Sequence, residues 1–241
     1  MTLLLLIRHG TNDWVHGRLA GWTPGVHLNE EGRRQAAGLS ERIGDLPIAA
    51  IYSSPLERCV ETATAVAQPR GMALRLVEQV GEVRYGEWQG AELKELYKHE
   101  LWPGVQYYPS GTRFPNGESL GEAQMRVVQA IDGLRAQHPK QIVAVFSHAD
   151  LIKLAIAYYI GMHIDLFQRL TINPCSLTAL SFERMGPRLM AFNDTGSLEH
   201  LRPRPEPQPA DAPEALDTPD AEGAPPTEKA VAILPATEKP E

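Results

Sequence analysis

Arg8, His9 and Gly10 follow at once on five aliphatic residues, 3–7. A second histidine, His148, comes one serine after another apolar run, 142–146, and Arg58 falls six residues past the end of a third, 48–52. If these runs are neighbouring strands of one sheet, two imidazoles and two permanent cations converge on one crevice. Such a group of side chains is an anion site suited to phosphoryl transfer. The loose transition state of that reaction asks mainly for fixed positive donors around its equatorial oxygens. Guanidinium groups match phosphate oxygens in bidentate fashion. A neutral imidazole in line can take the phosphoryl group and later release it to water. The leaving oxygen then needs a proton, and Glu82, in a glycine-flanked loop with Tyr85 and Trp88, is the candidate general acid, with Glu87 as the second choice.

The elements that must position these groups are legible in outline. Short apolar runs at 3–7, 48–52, 73–77 and 142–146 read as strands. Residues 30–43 form an amphipathic stretch after Asn29, a good N-cap, with Glu30 and Glu31 in its first turn. Pro55, with Ser54 as cap, is expected to open a helix reaching about Gln68 and carrying Arg58 in its first turn. Residues 91–99 look helical, and 103–118 form an excursion rich in Pro, Gly and Tyr. Ser119 opens a helix that ends near His138-Pro139, and a further helix spans 150–160 with Asp150 as its cap. Two β-rich runs, 176–183 and 188–192, lie close enough to pair. Strands alternating with helices predict an α/β fold with a mostly parallel central sheet covered on both faces. Ligands of such sheets bind beyond the carboxyl ends of the strands, where Arg8, His9 and His148 fall.

Composition narrows the class. The chain has 241 residues and a net charge of −7. Nine acidic and three basic residues lie at 203–241, leaving 21 acidic and 20 basic at 1–202, so the folded part is nearly neutral. No basic nucleic-acid surface is encoded. Residues 203–241 also hold ten of the twenty prolines and are expected to be a disordered acidic tail, its aliphatic stretch 231–234 being a solvated segment before it is a docking peptide. The run 3–7 has no basic region before it and is followed by Arg8 and His9, so it reads as neither signal peptide nor membrane span, and a cytoplasmic protein is expected. Cys59 and Cys175 have no pairing or zinc spacing and read as small buried groups. No phosphate-binding Gly-Lys loop, His-Glu-x-x-His or dinucleotide fingerprint is present, so no cofactor or metal is expected.

At four separated places the sequence resembles the histidine phosphatase superfamily, the phosphoglycerate-mutase-like enzymes. These are Leu6-Ile7-Arg8-His9-Gly10 with Trp14; Ser53-Ser54-Pro55-Leu56-Glu57-Arg58 with Glu61-Thr62-Ala63; Glu82 with Gly86-Glu87-Trp88-Gln89-Gly90; and Ser147-His148. The resemblance covers essentially residues 1–200, within a domain expected at 1–202, and implies a three-layer α/β/α sandwich without a metal. It implies that His9 is the phosphorylated nucleophile, that Arg8, Arg58 and His148 hold the phosphate, and that Glu82 is the proton donor. The expected activity is hydrolysis of small phosphate monoesters.

The chain departs from the family pattern at Thr11-Asn12-Asp13 and at Ala149-Asp150. Asn12 is a candidate donor to phosphate in place of a hydroxyl, His16 a candidate near the leaving group, and Asp150 a candidate for orienting His148. A phosphomutase is the first rival function. Mutase relatives carry adjacent arginines downstream of the acid loop, whereas the only Arg pair here, Arg33-Arg34, lies in the wrong region. A catalytically retired phosphate-binding regulator is the second rival, and retention of both His, both Arg and Glu82 weighs against it. Seven aromatic residues, Trp14, Trp22, Tyr85, Trp88, Trp102, Tyr107 and Tyr108, are expected around the pocket rim.

Overall fold

In a computed structural model, residues 1–196 are described. The expected tail, 203–241, with its aliphatic stretch, lies outside the described residues. The run of aliphatic residues after Met1 forms β1 (Thr2–Arg8), and the chain continues through α1 (Glu30–Ile43), β2 (Ile48–Ser53), α2 (Glu57–Ala67) and β3 (Leu74–Leu76). Two short helices, α3 (Leu93–Leu96) and α4 (Trp102–Tyr107), precede α5 (Leu120–Gln137), β4 (Ile142–Ser147), α6 (Ala149–Tyr159), β5 (Leu177–Glu183) and β6 (Gly186–Asp194).

One six-stranded sheet results, in the order β3-β2-β4-β1-β5-β6. β3, β2, β4 and β1 run parallel, β5 is antiparallel to β1, and β6 is antiparallel to β5. The central strands are apolar without alternation because both faces are covered. Leu4 and Leu6 of β1, with Val143 and Val145 of β4, point into the core beneath α5 and α6. Leu5 and Ile7, with Ala144 and Phe146, point into a second core beneath α1 and α2. The expected three-layer sandwich is therefore present.

The order β2-β4-β1 is what positions the site. His9 extends β1 and donates its backbone N–H to Ser147 of β4 at 3.1 Å, so the two histidine-bearing strand ends are adjacent. Close backbone contact fixes the first loop: a Cβ on Gly32 would stand 2.0 Å from the Thr11 carbonyl oxygen, and one on Gly10 2.7 Å from that of Gly32. Asn29 caps α1 by accepting from Gly32 N, and Ser119 and Glu122 form a capping box on α5.

Several local expectations need correction. β3 is only three residues at a sheet edge, shorter than 73–77. Only one turn of the 91–99 stretch is helical, and the excursion after it contains α4. Ser54 does not cap α2, which starts two residues later with Leu56 at its N-cap. The Ser54 hydroxyl accepts instead from Leu56 N and contacts His148. Asp150 is not the cap of α6 either: His148 holds that position, and Asp150 lies in the first turn.

Candidate active site

His9 is 4% exposed and its Nδ1 donates to its neighbour's carbonyl, Gly10 O, at 2.8 Å. That bond fixes the tautomer and leaves Nε2 with its lone pair. Burial, then the charges of Arg58 and Arg8, hold the imidazole well below the ordinary histidine range, so it is neutral and nucleophilic at neutral pH. Gly10 N in turn donates to the Thr62 hydroxyl at 3.0 Å, tying the end of β1 to α2.

The two arginines are anchored by one nitrogen each and leave the rest available. Arg8 Nη1 donates to Ile172 O at 2.7 Å, and Arg58 Nη2 to Gly21 O at 2.8 Å. Arg8 Nε, Arg58 Nε and Arg58 Nη1 are buried without a hydrogen-bond partner. Arg58 itself is 1% exposed. Orphaned guanidinium donors in so dry a place are costly, and an anion satisfies several at once.

His148 is wholly buried behind this wall. Its Nδ1 accepts from Arg58 Nη2 at 3.2 Å, its Nε2 lies 2.9 Å from Ser54 Oγ, and its ring centroid is 5.2 Å from that of His9. Burial and then the Arg58 charge keep it well below the usual histidine range, hence neutral. Cys59 Sγ is 3.4 Å from Nε2. Both Cys59 and Cys175 are free and buried, and burial pushes their thiols up to about 12, which removes them from thiolate chemistry.

Glu82 stands over this group. One carboxylate oxygen accepts from Val83 N at 2.9 Å and the other is 3.6 Å from His148 Nδ1. Burial, reinforced by the Asp150 charge, lifts its carboxyl to about 7. A group with that value is half protonated near neutrality, as a general acid requires. The loop that carries Glu82 is tied down. Arg126 of α5 donates to Gln79 O, Gly81 O and Glu82 O at 2.7, 2.9 and 3.1 Å and pairs with Glu118, while Trp22 Nε1 donates to Glu82 O at 2.7 Å.

A cavity of about 420 Å³ opens onto Arg8, His9, Asn12, Arg58 and Glu82. Of Arg8, His9, Asn12, Arg58, Glu82 and His148, only His148 is absent from its wall. Asn12 is buried and accepts from Trp14 N at 3.0 Å, and His16 also lines the cavity. Glu87 does not: it is exposed and accepts from Asn116 Nδ2 at 2.5 Å. Asp150 lines the cavity, but its oxygens go to Tyr85 and Lys153, so it does not orient His148. Of the seven aromatic residues, Trp14, Tyr85 and Trp102 line the cavity, Trp22 lies off its wall and holds the Glu82 carbonyl, Trp88 packs in the core, and Tyr107 and Tyr108 are exposed to solvent. Lys153, Gln168 and Arg126 escaped the sequence reading.

Phosphate is the ligand that a neutral imidazole between two under-used guanidinium groups is suited to handle. The chain belongs to the histidine phosphatase superfamily (branch 1), which it matches over residues 4–195. It is 27% identical over 199 residues to phosphoserine phosphatase 1 of Hydrogenobacter thermophilus, covering 81% of this chain and 93% of that one. A probable phosphoglycerate mutase, GpmB, of Erwinia tasmaniensis is 26% identical over 208 residues, covering 83% and 95%. Among solved structures, YhfR of Bacillus stearothermophilus has a TM-score of 0.76 at 25% identity, covering 80% of this chain and 98% of that one. A phosphoserine phosphatase of Entamoeba histolytica in complex with 3-phosphoglyceric acid has a TM-score of 0.73 at 29% identity, covering 84% and 100%. The expected family and enzyme class are borne out: this is a phosphatase-type enzyme of that superfamily. Among the described residues no helix is long and apolar enough to cross a membrane.

Proposed function

We propose that the chain hydrolyses small phosphate monoesters through a phosphohistidine on His9, without a metal, and that residues 1–202 form the catalytic unit. The observation that carries this reading is the fixed tautomer of His9, whose free Nε2 faces a cavity shared with the unpartnered nitrogens of Arg8 and Arg58. In the first half-reaction, His9 Nε2 forms a bond to phosphorus while the ester P–O bond breaks. The Glu82 carboxyl gives its proton to the leaving oxygen. In the second, the Glu82 carboxylate takes a proton from water, whose oxygen bonds to phosphorus as the N–P bond breaks. His9 returns to its neutral tautomer, and phosphate carries away the transferred group. Arg8 and Arg58 stabilise the equatorial oxygens throughout, buried Asn12 adds its side-chain amide N–H as a further donor, and His148 backs the pocket by positioning Arg58. The two unpaired cysteines fit a reducing, cytoplasmic setting.

The test is phosphate release from an aryl phosphate in excess chelator, for the wild type and His9→Ala, with phosphoryl exchange on 3-phosphoglycerate followed in parallel. Release that the chelator leaves intact and that falls on the order of 10⁴–10⁶-fold in His9→Ala is the expected result. Exchange without net release would make the enzyme a mutase, and loss of activity in chelator would overturn the metal-free mechanism.

A further inference from the structure

Past Arg8, His9 and Arg58, the cavity runs to the first turns of α6 and to residues 164–169, where Asp150, Lys153 and Gln168 line it. Lys153 is a buried cation, 8% exposed. Its ammonium group donates to Asp150 Oδ1 at 2.8 Å and to Gln168 Oε1 at 2.8 Å, and lies 4.7 Å from the centroid of the Phe167 ring. The other Asp150 oxygen accepts from the Tyr85 hydroxyl at 2.9 Å. The charge of Lys153 is therefore matched within the protein. Arg18, the other cation at this end, sits at the exposed rim, pairs with Glu92 at 3.2 Å and lies over the Trp14 ring. Arg8 and Arg58 face the phosphate position.

We propose that this end of the cavity selects phosphomonoesters of uncharged alcohols, and that the Asp150–Lys153 pair is the specificity determinant that disfavours a carboxylate on the leaving group. The inference rests on the phosphatase reading above. A leaving-group carboxylate gives up hydration on entering the cavity and must compete with Asp150 for Lys153, whose charge is already matched. A neutral alcohol incurs neither cost. Its hydroxyls face the amides of Gln106 and Gln168, and its carbon skeleton faces Trp14, Leu93 and Trp102.

Glycerol 3-phosphate and 3-phosphoglycerate differ only in carrying a hydroxymethyl or a carboxylate at the far end, so the ratio of their kcat/KM values at pH 7 isolates this choice. Wild type is expected to favour glycerol 3-phosphate by about tenfold or more, the scale of one charged group left unpaired. Asp150→Asn, which unmasks Lys153, should move the ratio toward 3-phosphoglycerate by about tenfold. Combining it with Lys153→Gln should abolish that gain. Any effect of Asp150 on Glu82 cancels in the ratio, because both esters share the same chemistry at the bond that breaks.

A wild-type preference for 3-phosphoglycerate, or a ratio that Asp150→Asn leaves unmoved, would overturn the proposal. If the variants do not fold, the wild-type ratio alone decides it. Hydrolysis of an aryl phosphate in the same preparations separates the two readings. Its absence sinks the phosphatase reading itself, whereas its presence with a carboxylate preference sinks only the specificity.

Discussion

The two ends of the cavity are built on different principles. At the end proposed to hold phosphate, His9, Arg8 and the backing His148 sit on or just past adjacent strands, and three guanidinium nitrogens are buried without partners. At the end proposed to take the leaving group, Asp150, Lys153, Tyr85 and Gln168 satisfy one another. One end holds unsatisfied positive donors in a rigid frame; the other is electrostatically settled. The difference teaches where catalysis and discrimination divide. Orphaned donors gain most when charge develops on phosphorus-bound oxygens, and they act alike on every ester. A settled, partly apolar wall distinguishes substrates by what they cannot pair with there.

Glu82 lies where the two ends meet, and its replacement gives the largest effect expected of the remaining side chains. Glu82→Gln should lower kcat for an alkyl phosphate by about 10²–10⁴-fold. It should affect an aryl phosphate far less, because a phenoxide with a low pKa leaves without a proton. The pH profile carries the sign. Burial and Asp150 place the Glu82 carboxyl at about 7, so the acid form is lost as pH rises through that value. His9, held well below its ordinary range, stays neutral across the same interval. Wild-type kcat for an alkyl ester should therefore fall above about pH 7, and the falling limb should vanish in Glu82→Gln. A limb that persists in that variant would assign the proton donor elsewhere.

Arg58→Ala sharpens the comparison from the other side. Removing its donors should cost about 10²–10³-fold in kcat/KM. The loss should be nearly equal for aryl and alkyl esters and for glycerol 3-phosphate and 3-phosphoglycerate. Arg58→Lys should recover little, because an ammonium group cannot hold Gly21 O, meet His148 and present two further donors at once. A loss confined to one class of leaving group would dissolve the division between the two ends.

The same division explains what was legible in the sequence. Arg8, His9 and His148 stand where aliphatic runs stop abruptly, so the phosphate end could be read from residue types and spacing on the one condition that those runs are neighbouring strands, a condition met by the tertiary order β2-β4-β1. Glu82 announced itself through flanking glycines. Lys153 did not, because three residues after Asp150 in a helix it resembles an ordinary surface pair; only its setting among Leu151, Ile152, Leu154 and Ala155 hinted at burial. Ser54 was misassigned because a hydroxyl before proline caps helices well, and nothing local says that a histidine 94 positions later will claim it. Trp88 and Trp14 are equally aromatic in sequence, yet one packs in the core and the other lines the cavity. The side on which a loop ring falls is decided by tertiary contacts.

Arg126 offers the smallest change in rate and the most informative one about how the acid is held. Its side chain is 14% exposed and bridges three loop carbonyls, those of Gln79, Gly81 and Glu82, to Glu118, whose own side chain is 10% exposed. Arg126→Met preserves the aliphatic volume, removes those donors and leaves Glu118 buried without its cation. Loss of one partner of a buried pair costs about 3–5 kcal/mol, which urea unfolding at equilibrium will register as a lower midpoint. Trp22 still holds the Glu82 carbonyl, so the loop should loosen and not collapse. The rate for an alkyl ester should then drop by about tenfold through poorer placement of the acid, while aryl ester turnover stays within about twofold of wild type. An equal drop for both esters would mean that Arg126 supports the phosphate end as well, and that the acid and the nucleophile share one scaffold.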